Sequence, residues 1–208
     1  MARDTHSIVK MSRREGYALH PKAHKALVKR PTPPGQHGAG RGGRPGSKAS
    51  QYSLQLREKQ KVKRLYGLLE KQFSNLMVEA NRRPGQTGQA LLQFLEQRMD
   101  NAVYRAGFAP SRRAARQLVT HGHFTLNGVR VDIPSIRLKA GDALEVRAHS
   151  KASEYFKKLD DVSPAPSTTP EWLKVDRKKQ SFAVTGIPTR EDAEPDINEQ
   201  LIVEYYSR

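Results

Sequence analysis

Between residues 53 and 83, apolar side chains recur at intervals of three and four. Val62, Leu65, Tyr66, Leu69, Phe73, Leu76, Met77 and Ala80 make one stripe, which predicts helix. Gly67 is a point at which this stretch divides in two, and Pro84-Gly85 ends it. A further helix is predicted over about residues 87–106, burying Leu91, Leu92, Leu95, Met99, Ala102, Val103 and Ala106, with Gly107 as its stop. The period then shortens to two. Residues 136–139 and 144–147 alternate as strands around a Gly141-Asp142 turn, and Phe182-Ala183-Val184 suggests another strand. Residues 148–170 lose period and gather Ser and Pro, which reads as a loop; Trp172 is expected to pack. The tail from Asn198 is apolar enough to dock on another element. Residues 1–50 show little helical period and read as an extended arm. No internal repeat and no heptad seam is present.

The most informative pattern lies at residues 111–131. Ser111 follows Pro110 and is placed to cap a helix by accepting a backbone N–H bond. Gly122 supplies the left-handed residue that ends it. In between, Ala114, Ala115, Leu118 and Val119 share one face, while Arg112, Arg113, Arg116, Gln117 and Thr120 share the other. Asn127-Gly128 is a strong two-residue hairpin signal, since both central residues of that turn need positive φ. Such a turn pairs Leu126 with Val129 and Phe124 with Val131, leaving Thr125 and Arg130 on the opposite face. His121 and His123 stand at the joint. This arrangement is a solvated basic helix face or a phosphate-binding one, and the remaining sequence decides between them.

The net charge is +16, unevenly spread. Residues 1–71 carry 17 Lys/Arg against 4 Asp/Glu, residues 72–160 carry 14 against 8, and residues 161–208 carry 6 against 9. A polyanion partner is therefore expected along the first third and the central module, with nucleic acid ahead of an acidic membrane surface. The basic stretches lack the apolar face that interfacial helices use. No apolar run is long enough to span a bilayer, and the N-terminus lacks the apolar core of a secretory signal. Cysteine is absent, which removes disulfides and thiolate metal sites and makes the cytoplasm the default location.

Catalytic and metal signatures are weak. His121 and His123 have no carboxylate placed as a third ligand, so no metal is expected. There is no G-x-S-x-G elbow, no phosphate loop ending in Gly-Lys-Ser/Thr and no dinucleotide fingerprint. Arg98-Met99-Asp100 matches an Arg-x-Asp pattern that some RNA-modifying enzymes use, but inside a helix Asp100 reads more simply as a solvated or salt-bridged side chain. We expect no enzyme activity and no cofactor.

Four separated stretches, in order, resemble a known family. They are Arg30-Pro31-x-Pro33-Pro34-Gly35-Gln36-His37-Gly38, and residues 52–61 (YSLQLREKQK). The third begins at residues 98–107 (RMDNAVYRAG) and continues through residues 111–128. The last is the terminal EQLIVEYYSR. Together they are similar to the bacterial small-subunit (30S) ribosomal protein number four. The third stretch alone is shared with RNA-modifying and stress-response proteins; the proline–glycine motif and the C-terminal signature narrow the match. Some members bind zinc through four cysteines in the arm, so this chain resembles the zinc-free branch. The resemblance implies an α+β fold: a helical domain over about residues 51–95, joined by the tail 197–208, interrupted by an RNA-binding module at 98–160. Residues 161–196 are expected to be an irregular connection with short strands.

The resemblance also implies a structural, non-enzymatic role. Such a protein binds a junction in the 5′ domain of 16S rRNA, nucleates assembly of the 30S body and lies beside ribosomal proteins five and three. It sits where mRNA enters the subunit, and it contributes to decoding accuracy. Neither a membrane nor a second copy of the chain is an expected partner. In this reading Arg112, Arg113 and Arg116 meet phosphates, with Gln117, His121, His123 and Arg130 beside them. Tyr52, Arg57, Lys59, Lys61, Lys63, Arg64 and Lys71 face a second RNA helix. Arg13, Arg14, Arg30, Pro33, Pro34, Gly35, Gln36, His37 and Gly38 follow a third. An RNA-modifying or stress protein with the same module is the rival, and it requires a separate catalytic domain; binding of the protein's own mRNA is a further alternative.

Overall fold

The structure, a computed structural model, describes residues 4–36, 50–166 and 168–207. His37, Gly38 and the glycine-rich stretch after them lie outside the described residues. In chain order the helices before the sheet are α1 (Ile8–Glu15), α2 (Pro21–Lys29), α3 (Gln51–Leu65), α4 (Glu70–Arg82), α5 (Thr87–Glu96), α6 (Met99–Arg105) and α7 (Arg112–Thr120). Strands β1 (Phe124–Leu126), β2 (Val129–Val131) and β3 (Ala143–Val146) follow, then the short helices α8 (Ala148–Lys151), α9 (Glu154–Lys157) and α10 (Leu159–Val162). Strands β4 (Leu173–Asp176) and β5 (Ser181–Val184) and helix α11 (Glu199–Tyr206) are the last elements among the described residues. The chain is α+β and divides into two compact units, residues 1–90 with 196–208 and residues 91–195.

The first unit is helical. Gly67 does separate two helices, and Val62, Leu65, Tyr66, Leu68, Phe73, Met77 and Ala80 are all buried. The tail docks as α11 against α3, burying Ile202; Asn198 caps it through Gln200 N–H, and Gln55 donates to Glu204 at 2.8 Å. Part of what reads as an extended arm is helical. Pro21 opens α2 with its φ already suited to a helix, and the His20 ring accepts the Lys22 N–H at 3.0 Å. Met11, Leu19 and Ala23 are buried. The helical period was hidden because these helices are short and present few large apolar residues.

The second unit joins helices to an antiparallel five-stranded sheet in the order β2-β1-β3-β5-β4. The register of β1 and β2 pairs Phe124 with Val131 and Leu126 with Val129, as the hairpin signal predicts. Asn127 and Gly128 take φ of 51° and 82°. Because β2 is an edge strand, Val129 is left 67% exposed instead of sharing the core with Phe124. The region expected to be an irregular connection with short strands supplies β4 and β5, which join the same sheet, with Leu144 of β3 opposite Phe182 of β5. Met99, Val103, Phe108, Val119, Phe124, Leu144, Phe156, Trp172, Phe182 and Val184 form one core.

Residues 148–162, expected as part of a loop, form α8, α9 and α10, and Phe156 and Leu159 are buried. Two further expectations change together. The helix predicted through residues 87–106 breaks at Gln97-Arg98, and residues 136–139 do not form a strand of the sheet. One contact accounts for both: the Leu138 N–H donates to the Gln97 carbonyl at 2.9 Å and the Met99 N–H to the Ile136 carbonyl at 2.8 Å. Those tertiary bonds take backbone groups that a continuous helix would pair internally. Asp100 accordingly lies in the first turn of α6, 5% exposed, and accepts from Arg98 at 3.0 and 2.9 Å, so it is salt-bridged and not solvated.

Candidate nucleic-acid interface

The site is built on α7 and the β1–β2 hairpin. Ser111 Oγ accepts the Ala114 N–H at 3.3 Å and fixes the helix start. Ala115 and Val119 are buried, with Ala114 and Leu118 packed against the same core. That anchoring leaves Arg113, Gln117 and Thr120 exposed on the opposite face, with His121 and Arg130 exposed beyond the helix end. At Gly122 the chain must turn with φ of 70°, and a Cβ there would meet Arg130 Nε at 2.8 Å; the guanidinium lies over the bare backbone. The hairpin thus brings Arg130 beside the end of α7.

The two histidines differ. Their rings lie 6.0 Å apart. His123 is half-buried, hydrogen-bonded through Nδ1 to Ser150 Oγ at 3.0 Å, with its ring at the edge of Phe156. Burial holds its pKa below the ordinary histidine value, and His121 and Arg147 add to that. Arg147, which the sequence reading missed, donates to the Gly122 carbonyl at 3.2 Å and joins this cluster. Its signal appears only in the register: Val146, one residue before it, pairs with Phe124.

Arg112 and Arg116 are not simple surface cations. Arg112 donates from Nε to Asn101 at 2.8 Å and from Nη2 to Glu194 at 2.9 Å, and its guanidinium stacks 4.6 Å from the Tyr104 ring centre. Arg116 lies 3.7 Å from the Asp100 carboxylate, and burial lowers its pKa from the usual arginine value. Both are therefore tied to the fold as well as facing the site.

The first unit treats its candidates differently. Arg57 reaches Glu15 at 3.3 Å, Arg64 pairs with the same carboxylate, and the Glu15 side chain is fully buried. That burial raises the Glu15 pKa against the pull of Arg57 and Arg64. Lys59, only 3% exposed, donates to Glu70 at 2.7 Å; Lys63 donates to the same carboxylate at 2.9 Å. Lys61 meets Glu58 at 2.8 Å and the Asp196 carbonyl at 2.7 Å. Arg13 donates to the carbonyls of Arg30, Thr32 and Pro33, which organises residues 30–33 from within. These cations hold helices together, so the expected basic face of α3 is largely consumed internally. Tyr52 is 49% exposed and tilts against Tyr205 with ring centres 5.9 Å apart. Arg14, Arg30, Pro33, Gly35, Gln36 and Lys71 are exposed, and Pro34 is half-buried.

Among the described residues, no group of three or more His, Cys, Asp or Glu side chains is arranged to hold a metal ion. No described helix is long and apolar enough to cross a membrane.

Comparison with known proteins agrees with this architecture. The family described as Ribosomal protein S4/S9 N-terminal domain matches residues 3–96, and the S4 domain matches residues 97–144. The chain is 50% identical over 214 residues to the small ribosomal subunit protein uS4 of Clostridioides difficile. It is 51% identical over 209 residues to the uS4 of Pelodictyon phaeoclathratiforme and 49% identical over 209 residues to that of Roseiflexus castenholzii. Each alignment covers 100% of both chains. With full-length identity at this level, the chain belongs to the family of small ribosomal subunit protein uS4.

Proposed function

We propose that this protein is a structural constituent of the small ribosomal subunit that binds 16S rRNA through the α7–hairpin face. The observation that carries the reading is the exposed row Arg113, Gln117 and His121 with Arg130 beside it, held on a helix whose opposite face is fixed in the core. Guanidinium groups donate paired bonds that suit phosphate, and a fixed scaffold lowers the entropy lost on binding. Recognition is of junction shape, because the deep, narrow major groove of A-form RNA excludes side chains. Arg112 and Arg116 contribute charge from positions set by Glu194 and Asp100. The role is structural and not enzymatic.

Finer assignments extend the proposal: a junction in the 5′ domain, nucleation of the 30S body, neighbours in ribosomal proteins five and three, and a position where mRNA enters the subunit, bearing on decoding accuracy. The test is binding to a 16S 5′-domain transcript, titrated with salt and challenged with excess tRNA. Each phosphate contact adds about 0.7–0.9 to the log–log salt slope, so Arg113→Ala and Arg130→Ala should each weaken binding and flatten that slope. Affinity that both variants leave unchanged refutes this face. Arg112→Ala and Arg116→Ala are poorer probes. Arg112→Ala removes the nearer of the two cations beside Glu194, and Arg116→Ala removes one of the two beside buried Asp100, so each disturbs the fold, contrary to the simple surface role the sequence suggests.

A further inference from the structure

The arginine that heads α7 belongs to a closed ring of polar contacts. Arg112 Nε donates to Asn101 Oδ1 at 2.8 Å, and Asn101 Nδ2 donates to Glu96 Oε2 at 2.7 Å. Glu96 takes both bonds of the Arg105 fork at 3.0 and 2.9 Å. Arg105 Nη2 lies 3.5 Å from Glu194 Oε1, and that same oxygen accepts Arg112 Nη2 at 2.9 Å, which closes the circuit. Glu96, Asn101, Arg105 and Arg112 all come from residues 96–112. Glu194 alone arrives from an acidic loop more than eighty positions away. Its side chain is 23% exposed, at the outer rim of the ring. Burial works against its ionisation, but Arg112 and Arg105 outweigh that and hold its carboxyl below the ordinary glutamate value.

A carboxylate oxygen that accepts from one guanidinium and lies beside a second stands where a phosphate oxygen would stand. We propose that Glu194 is a specificity-determining residue for RNA binding: it occupies Arg112 and Arg105 as an internal stand-in for phosphate and positions Arg112. An RNA whose phosphates fit the guanidinium where the ring holds it binds without disturbing the ring. Any other polyanion must displace Glu194 first. The contact thus weakens generic binding more than fitted binding, and discrimination is a difference between the two. This rests on the reading of the α7 face as the RNA site.

The experiment compares the full-length protein with Glu194→Gln, which keeps the side-chain shape and removes the charge. Affinity is measured for tRNA and for the 16S 5′-domain transcript across a salt series. Removing one such charge should tighten tRNA binding about fivefold and steepen its salt slope by about 0.7–0.9, while the transcript's affinity changes less than about twofold. A merely structural Glu194 predicts equal losses for both RNAs, and that result, or unchanged tRNA affinity, overturns the proposal. Should Glu194→Gln unfold the loop, Glu194→Asp keeps the charge at shorter reach. It should release part of the tRNA gain with the fold preserved; no gain there also overturns it. Arg113→Ala and Arg130→Ala, measured alongside, separate the two levels. If both leave transcript binding unchanged, the interface is misplaced. If they weaken it and Glu194→Gln does not shift the ratio, only the role of Glu194 fails.

Discussion

Removing the Asp100 carboxylate should be among the costliest single changes in the second unit. Its two oxygens accept from Arg98 at 3.0 and 2.9 Å and from the Asn101 N–H at 3.0 Å, and the Arg98 and Asp100 side chains are only 6% and 7% exposed. Asp100→Ala leaves the Arg98 guanidinium buried without its bidentate partner, a situation that costs about 3–5 kcal/mol. The loss of a carboxylate from the first turn of α6 adds about 0.5 kcal/mol. Asp100→Asn keeps the volume, the bond to Asn101 and one bond to Arg98, so about half that loss, roughly 2 kcal/mol, is expected. Replacing both partners, as Arg98→Met with Asp100→Leu, should be milder than Asp100→Ala because no charge is stranded. Trp172 is the sole tryptophan and sits in the same core as Met99 and Ala102, so its fluorescence during urea unfolding reports on this unit. An Asp100→Ala loss below about 1 kcal/mol, or a double variant worse than the single, would refute the claim that charge burial dominates here.

Glu70 offers a pH test in the first unit. Burial alone pushes its carboxyl up, but hydrogen bonds from Lys59, Lys63 and Tyr206 bring it down to about 2. A depressed carboxylate stabilises the fold above its unfolded pKa and loses that contribution as pH falls from about 4.5 toward 2. Because the Glu70 side chain is 48% exposed, Glu70→Gln should cost only about 1 kcal/mol at neutral pH, discounted for solvent screening. Circular dichroism of the helical content should show the gap between wild type and variant closing near pH 2; a gap that persists there removes the linkage. At the hairpin, a side chain at Gly128 meets no atom within 4 Å, so the cost of Gly128→Val is one of backbone conformation alone, about 1–2 kcal/mol. Gly128→Asn, which tolerates positive φ, should cost much less in thermal unfolding, and equal costs would mean that something other than the turn is responsible.

Local signals carried much of this protein. The stripe through residues 62–80, the Ser111 cap, the Asn127-Gly128 turn and its register all depend on neighbours a few positions apart, and each is written in residue order. So is the excess of positive charge that points to a polyanion, and so are the stretches that carry the family resemblance. What stayed hidden depends on partners far along the chain. The break at Gln97-Arg98 exists because Ile136 and Leu138 take its backbone bonds. The helices α1 and α2 are short and weakly apolar, so their stability comes from burial that period alone does not reveal. Charge identity was legible but charge availability was not. Arg57 and Arg64 converge on buried Glu15, Lys59 and Lys63 on Glu70, and Arg112 on Glu194, and only the folded chain brings those carboxylates within reach. Sequence alone determined that this chain is a basic α+β protein with a helix–hairpin face of arginines and histidines. Tertiary structure decided which cations stay exposed and which are taken up by carboxylates, because only the fold brings Glu15, Glu70 and Glu194 within reach of them.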